Sequence, residues 1–318
     1  MTTRIGYALS SEEHGPDALV TNAVRAERAG FAFATISDHF HPWIDAQGQS
    51  PFVWTVLGAL ARATERLEIG TTVTCPIIRT HPVIVAHAAA TVAAMMPGRF
   101  FLGLGAGENL NEHVTGEWWP TSGQRLEMLE EAVAVIRECW KGELTSHRGK
   151  YYTVDQARLY TRPDTPPPIH LAASAENAAA LAGRAGDGLV STSPDADVVK
   201  QFASAGGRGK PRYGGLTVCW AATDAEARAT AHRIWPQTCL SGGLTWEIKT
   251  PNLFEAACEH VREEDVAKEV LCSADPAEHR ARIAEYVDAG FDHVYVHQIG
   301  ADQEGFLAFY EREVLPHL

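Results

Sequence analysis

Phe33-Ala34-Thr35-Ile36-Ser37-Asp38-His39-Phe40-His41-Pro42-Trp43 is an apolar, β-branched run that stops on an acid, an imidazole and, four residues later, an indole. Such a run crosses a sheet as one strand, and Pro42 prevents the ladder from continuing. The polar side chains that follow therefore belong at the mouth of a fold, where catalytic groups are usually placed.

Outward from this strand, one helix-to-strand corner recurs. Arg28-Ala29-Gly30-Phe31 precedes it, Arg184-Ala185-Gly186-Asp187 precedes Leu189-Val190-Ser191, and Asp288-Ala289-Gly290-Phe291 precedes Val294-Tyr295-Val296. Glycine at each corner suits a left-handed helix C-cap, which carries no Cβ penalty there. Strands are expected near 4–9, 33–37, 67–73, 100–105, 169–172, 188–192, 214–221 and 293–298, with helical patterns such as 18–30, 83–96 and 125–141 between them. Strands alternating with helices require parallel pairing through right-handed crossovers, and eight of them close a (β/α)8 barrel. The chain reads as a single α/β barrel domain over 1–318, with insertions at about 142–168 and 236–265. The second insertion, with Ser241-Gly242-Gly243 and Trp246, is expected to cross the barrel mouth.

Composition narrows the function. A net charge of -13 lacks the basic stripe that a nucleic-acid binder needs, so no nucleic-acid partner is expected. The six cysteines form no C-x-x-C pair and read as reduced, mostly buried thiols. With no signal-like N-terminus and no apolar run long enough to span a bilayer, the expectation is a cytoplasmic chain without a membrane partner.

In a barrel, residues past the strand C-termini converge on one face. Those ends deliver Ser10-Ser11-Glu12-Glu13, Asp38-His39 with Trp43, Thr71-Thr72-Val73-Thr74-Cys75-Pro76, Gly103-Leu104-Gly105-Ala106-Gly107-Glu108-Asn109-Leu110-Asn111, and Ala172-Ala173-Ser174-Ala175. The glycines at 103, 105 and 107 do not have dinucleotide-fingerprint spacing; a tight turn that aims Glu108 inward is the better reading. His39 and His41 lack a third ligand at suitable spacing, so no metal is expected. An imidazole and a carboxylate sharing one mouth can divide proton removal and donation, whereas moving a hydride needs a cofactor. Ser174-Ala175-Glu176-Asn177-Ala178 presents either free N–H groups to a cofactor phosphate or a plain serine N-cap.

The motifs Ser37-Asp38-His39-Phe40-His41-Pro42-Trp43, Gly107-Glu108-Asn109-Leu110-Asn111-Glu112 and Ala182-Gly183-Arg184-Ala185-Gly186-Asp187-Gly188 together carry a resemblance. The chain resembles the coenzyme F420-dependent glucose-6-phosphate dehydrogenases of the bacterial luciferase-like barrel family, nearly end to end. The resemblance implies a deazaflavin whose C5 accepts a hydride from the carbon bearing a substrate hydroxyl. It matches His39 and Glu108 to the two proton-handling groups, with their roles open to exchange, and Trp43 and Glu12 to residues that line and orient the substrate. Asp38, Cys75, Ala106, Gly107 and Asn111 fall where the family contacts the cofactor. Thr72-Val73 corresponds to a non-proline cis peptide behind the ring, and Ser174, Ala175, Asn177 and Ala178 to the cofactor phosphate loop.

At the substrate end the chain departs from the family pattern. A family lysine three residues past a threonine becomes Asp195 after Thr192, and a second family lysine falls near Ala256; of the phosphate-binding trio an arginine remains as Arg282. The expectation is a hydride transfer from an unphosphorylated sugar or another neutral alcohol to F420, in a homodimer, with Thr192, Asp195 and Arg282 on the substrate side. The alternatives are a glucose-6-phosphate dehydrogenase, a reductase run from reduced F420, an FMN-dependent luciferase-like monooxygenase and a non-enzymatic barrel.

Overall fold

The computed structural model describes residues 3–318. Eight parallel strands form the barrel: β1 (Arg4–Leu9), β2 (Phe33–Ile36), β3 (Glu68–Thr71), β4 (Phe100–Leu104), β5 (Ile169–Ala172), β6 (Gly188–Ser191), β7 (Arg212–Cys219) and β8 (His293–Gln298). Each strand pairs with its neighbour in sequence, and β8 pairs with β1, closing the sheet. The expected strands are present, with ends shifted by up to two residues. Helices between strands cover the outside, including α1 (Pro16–Arg28), α2 (Val53–Ala63), α3 (Pro82–Met95), α4 (Ser122–Trp140), α5 (Glu176–Ala185) and α6 (Ala196–Phe202). Pro16 and Pro82 sit in the first helical turn, where a missing N–H costs nothing.

Interior packing explains why the ligand space is at one end. Register places Phe33 beside Gly6, Phe101 beside Gly70, His170 beside Gly188 and Tyr295 beside Gly215. A Cβ on those glycines would come within 2.4 Å of the Phe33 ring, 2.0 Å of the Phe101 ring, 2.7 Å of the His170 ring and 2.5 Å of the Tyr295 hydroxyl. Each large ring thus occupies the space that a side chain on the adjacent strand would need. His170 packs between Phe101 and Tyr213, with centroids at 4.9 and 4.8 Å. Burial lowers its pKa to about 4, so it packs as a neutral ring at neutral pH. This plug fills the lower barrel and leaves the strand C-termini open.

The corner glycines divide into two kinds. Gly30 and Gly290 have φ of 94° and 102°, the left-handed conformation expected. Gly186 is extended, with φ -89° and ψ 162°. Its glycine requirement comes from crowding, since a Cβ would meet the Ala182 carbonyl oxygen at 2.8 Å.

Between α4 and β5 an antiparallel hairpin pairs Thr145–Arg148 with Thr153–Ala157. Between β7 and the helix Pro276–Asp288 lie short helices at Asp224–Ile234, Leu244–Glu247, Pro251–Ala257 and Glu263–Glu269. Among the described residues no helix is long and apolar enough to cross a membrane.

Candidate active site

The open end of the barrel holds a cavity of about 490 Å³, within the range of cofactor and substrate sites. Its walls include Glu12, Asp38, His39, Trp43, Thr72, Val73, Cys75, Ala106, Gly107, Glu108, Asn111, Ser174, Ala175, Asn177, Ala178 and Thr192. The two strand-end motifs therefore meet in one space because β2, β3 and β4 are consecutive staves.

His39 is the hub. Its Nδ1 faces the His41 carbonyl at 3.1 Å, and Nε2 lies 3.4 Å from Glu12 Oε1 and 3.5 Å from Glu108 Oε2. Glu12 comes from the end of β1; its other oxygen accepts from the Ser10 and Ser37 hydroxyls at 2.9 and 2.7 Å. Burial alone would raise the Glu12 pKa, but the His39 ring and the Ser37 hydrogen bond pull it below its ordinary value. Burial raises that of Glu108, with the Glu12 charge adding to the rise and His39 only partly opposing it. Two carboxylates around one imidazole are thereby driven apart in acidity, a pattern that separates a charge stabiliser from a proton carrier.

Neighbours hold the cluster in place. Asn111 accepts from the Phe40 and His41 amides at 2.8 and 3.3 Å and donates to Glu108 at 3.2 Å. Trp43 lies 5.1 Å from the His39 ring and packs edge-on against Phe254 at 5.2 Å. Asp38 borders the cavity, but its carboxylate is engaged by the Thr74 hydroxyl at 2.8 Å and by Arg79 at 2.9 Å. Arg79 also lies 3.5 Å from the fully buried Glu112.

The glycine-rich turn after β4 serves packing. Cβ atoms on Gly103, Gly105 and Gly107 would fall 1.9 Å from the Thr71 carbonyl oxygen, 2.5 Å from Val73 and 2.4 Å from Cys75. The Thr72–Val73 peptide bond against which this turn lies is cis. At the start of α5 the N-cap is Ala175, and no side chain caps the helix. Ser174 is therefore not the cap that one reading of the sequence assigned, and the first-turn N–H groups remain open to a ligand.

Two residues expected on the substrate side, Asp195 and Arg282, lie off the cavity wall. Asp195 caps α6, accepting from Asp197 and Val198 amides at 2.8 and 3.2 Å, and it does not line the cavity. Its Oδ1 is engaged by the donors of a helix N-terminus. Arg282 pairs with Glu285 at 3.4 Å on the outer helix Pro276–Asp288 and likewise lies off the cavity wall. Conversely, Arg125, Trp235, Trp246 and His297 do line it. Trp246 belongs to the insertion expected to cross the mouth; for Arg125, Trp235 and His297 the only sequence signal was position, in a first helical turn after β4, the segment following β7 and the end of β8.

The cavity also carries unmet polar capacity. Thr35 Oγ1 and Arg125 Nε are buried without a partner in its wall. With the open α5 N-terminus, this donor set fits a ligand that combines a flat body with an anionic tail.

Comparison with known proteins agrees with this geometry. The family described as luciferase-like monooxygenase matches residues 1–293. A protein of Microbacterium testaceum (strain StLB037) named F420-dependent glucose-6-phosphate dehydrogenase is 37% identical over 99% of this chain and 97% of its own length. Its namesake in Mycobacterium avium (strain 104) is 36% identical over 99% and 98%. The solved structure of an F420-dependent secondary alcohol dehydrogenase in complex with an F420-acetone adduct matches with a TM-score of 0.91 and 30% identity, covering 99% of this chain and 98% of that one. The chain therefore belongs to the luciferase-like monooxygenase family, and its full-length relatives include F420-dependent dehydrogenases.

Proposed function

We propose that this protein is a coenzyme F420-dependent dehydrogenase that oxidises a CH–OH group of a neutral alcohol or unphosphorylated sugar. The observation that carries the reading is His39 Nε2 placed 3.4 and 3.5 Å from two carboxylates of divergent acidity at the barrel mouth. The names of the relatives support the cofactor. Thr72, Val73, Ala106 and Gly107 would flank its ring, and the open N–H groups at the start of α5 would receive its phosphate.

When bound, the deazaflavin supplies the hydride acceptor that no side chain provides. His39 removes the substrate hydroxyl proton at Nε2, since Nδ1 is committed to the His41 carbonyl. Glu12, whose carboxylate accepts from the Ser10 and Ser37 hydroxyls, stabilises the imidazolium that results. Glu108, whose protonated form burial favours, is the proton donor for the second transfer, and Asn111 aims it. Trp43 and its Phe254 support shield the site from water.

For the substrate, the cavity wall contains three indoles, those of Trp43, Trp235 and Trp246, no lysine, and Arg125 as its one arginine. A phosphoryl group on the substrate would need charge-assisted partners at the His39 end, and none of the expected lysines is in place. The second reading, glucose 6-phosphate as substrate, is favoured by the names of the relatives. Oxidised F420 mixed with equal micromolar glucose, glucose 6-phosphate and simple secondary alcohols decides between them. Faster loss of F420 absorbance with a neutral alcohol or glucose supports the proposal; fastest loss with glucose 6-phosphate replaces it with the second reading.

A further inference from the structure

Arg125 is a charged side chain without an evident task. It lies in the first turn of α4, is 4% exposed, and stacks on Trp119 with the guanidinium carbon 4.2 Å from the ring centroid. Its Nη1 donates to the Pro120 carbonyl at 2.7 Å and reaches the Glu247 carboxylate only at 3.5 Å, while Nε is buried with no partner. Burying a guanidinium this incompletely paired is costly, and such a group is normally satisfied by an anion. The cavity offers the place for one, because Arg125 is part of its wall.

Its location indicates which end of a ligand it meets. Helices α4 and α5 follow consecutive parallel strands and are bridged by the Arg184–Glu130 ion pair at 2.8 Å, so they are adjacent on the outside of the barrel. The α5 N-terminus lacks a cap and opens on the same cavity. A buried arginine and open helical N–H groups that border one cavity can act together on an anion. Glu247, on the short helix Leu244–Glu247, is 58% exposed, which leaves it free to move aside.

We infer that Arg125 is an anion-recognition residue for the acidic tail of the cofactor, and that Glu247 is a stand-in carboxylate displaced when that tail binds. The inference rests on the F420 reading above. The tail carries both a phosphodiester and glutamyl carboxylates, and the shared chemistry is an oxyanion able to bond the guanidinium in parallel. Arg125 acts here in binding, through contact with the tail, and takes no part in the proton transfers.

The test is affinity, followed by fluorescence quenching with F420, with its phosphate-only analogue, and with the deazaflavin riboside that lacks a phosphate. Arg125→Gln is expected to weaken F420 binding about tenfold to hundredfold while leaving the riboside within about twofold. A loss shared by the phosphate-only analogue assigns the contact to the phosphate; a loss confined to F420 assigns it to the carboxylates. Glu247→Gln, at an exposed position that tolerates change, is expected to tighten F420 by about twofold to threefold with the riboside unchanged, and it decides the matter if Arg125→Gln does not fold. Equal weakening of F420 and the riboside by Arg125→Gln, or unaltered F420 affinity in both variants, overturns the inference. Failure of the wild-type protein to bind either deazaflavin would instead overturn the F420 reading.

Discussion

His39 donates from Nδ1 to the carbonyl oxygen of His41 at 3.1 Å, since a carbonyl can only accept. The catalytic consequence is that Nε2, facing Glu12 and Glu108, is the nitrogen available to the substrate. With the ring neutral, its lone pair faces two carboxylates, and protonation of Glu108 relieves that repulsion. With the ring charged, both carboxylates can stay ionised around it. An imidazole and two carboxylates thus meet from three strand ends.

His39→Ala removes the group that takes the hydroxyl proton. Turnover should fall about 10²–10⁴-fold with F420 affinity little changed. Steady-state rates together with cofactor titration check this, and a variant that turns over at the wild-type rate would remove His39 from the mechanism.

Glu108→Gln should slow turnover strongly yet stabilise the fold at neutral pH. Burial raises the folded-state pKa of Glu108 above its ordinary 4.5, so the folded protein holds this proton more tightly than the unfolded chain does. As pH rises through the folded pKa, the ionised carboxylate costs stability, and glutamine avoids that cost. The Tm gain, on the order of 1–3 °C near pH 7, should vanish below pH 4.5, where both states are protonated. Calorimetry across that range is the measurement.

Glu12→Gln should behave in the opposite sense. The folded pKa of Glu12 is depressed below 4.5, so its charge contributes stability above the unfolded value that is lost as pH falls through the folded one. Its replacement should lower Tm near neutral pH and slow proton removal by His39, read together in melting curves and kcat.

Arg79→Met should destabilise the protein by about 3–5 kcal/mol, because it leaves Asp38 and Glu112, 4% and 0% exposed, as uncompensated buried acids. Urea unfolding checks the loss. An unfolding midpoint equal to wild type would show that this ion cluster adds nothing.

The strand-to-helix alternation was legible because each strand is a short apolar run ended by a glycine, proline or polar cluster. The meeting of His39 with Glu108 was legible for the same reason: once strands are counted, the ends of β2 and β4 must share a face. What local sequence could not show was where side chains spend their charge. That Asp195 caps a helix, and that Asp38 on the cavity wall is held by Arg79 and Thr74, appears only when the elements are assembled. Gly6, Gly70, Gly188 and Gly215 likewise acquire meaning only through the register that sets each beside an interior ring. Arg125 was hidden because a lone arginine in a helical pattern looks like any solvated one until its burial is known.

The most direct test of the account is hydrogen tracing under anaerobic conditions: an alcohol found to bleach F420 is deuterated at its carbinol carbon and the reduced cofactor is analysed by mass spectrometry. The account predicts one deuterium on the deazaflavin and a primary isotope effect on bleaching, with deuterium transfer slowed about 10²–10⁴-fold in His39→Ala. Absence of alcohol-dependent bleaching, with tight FMN binding and oxygen consumption in its place, would contradict it.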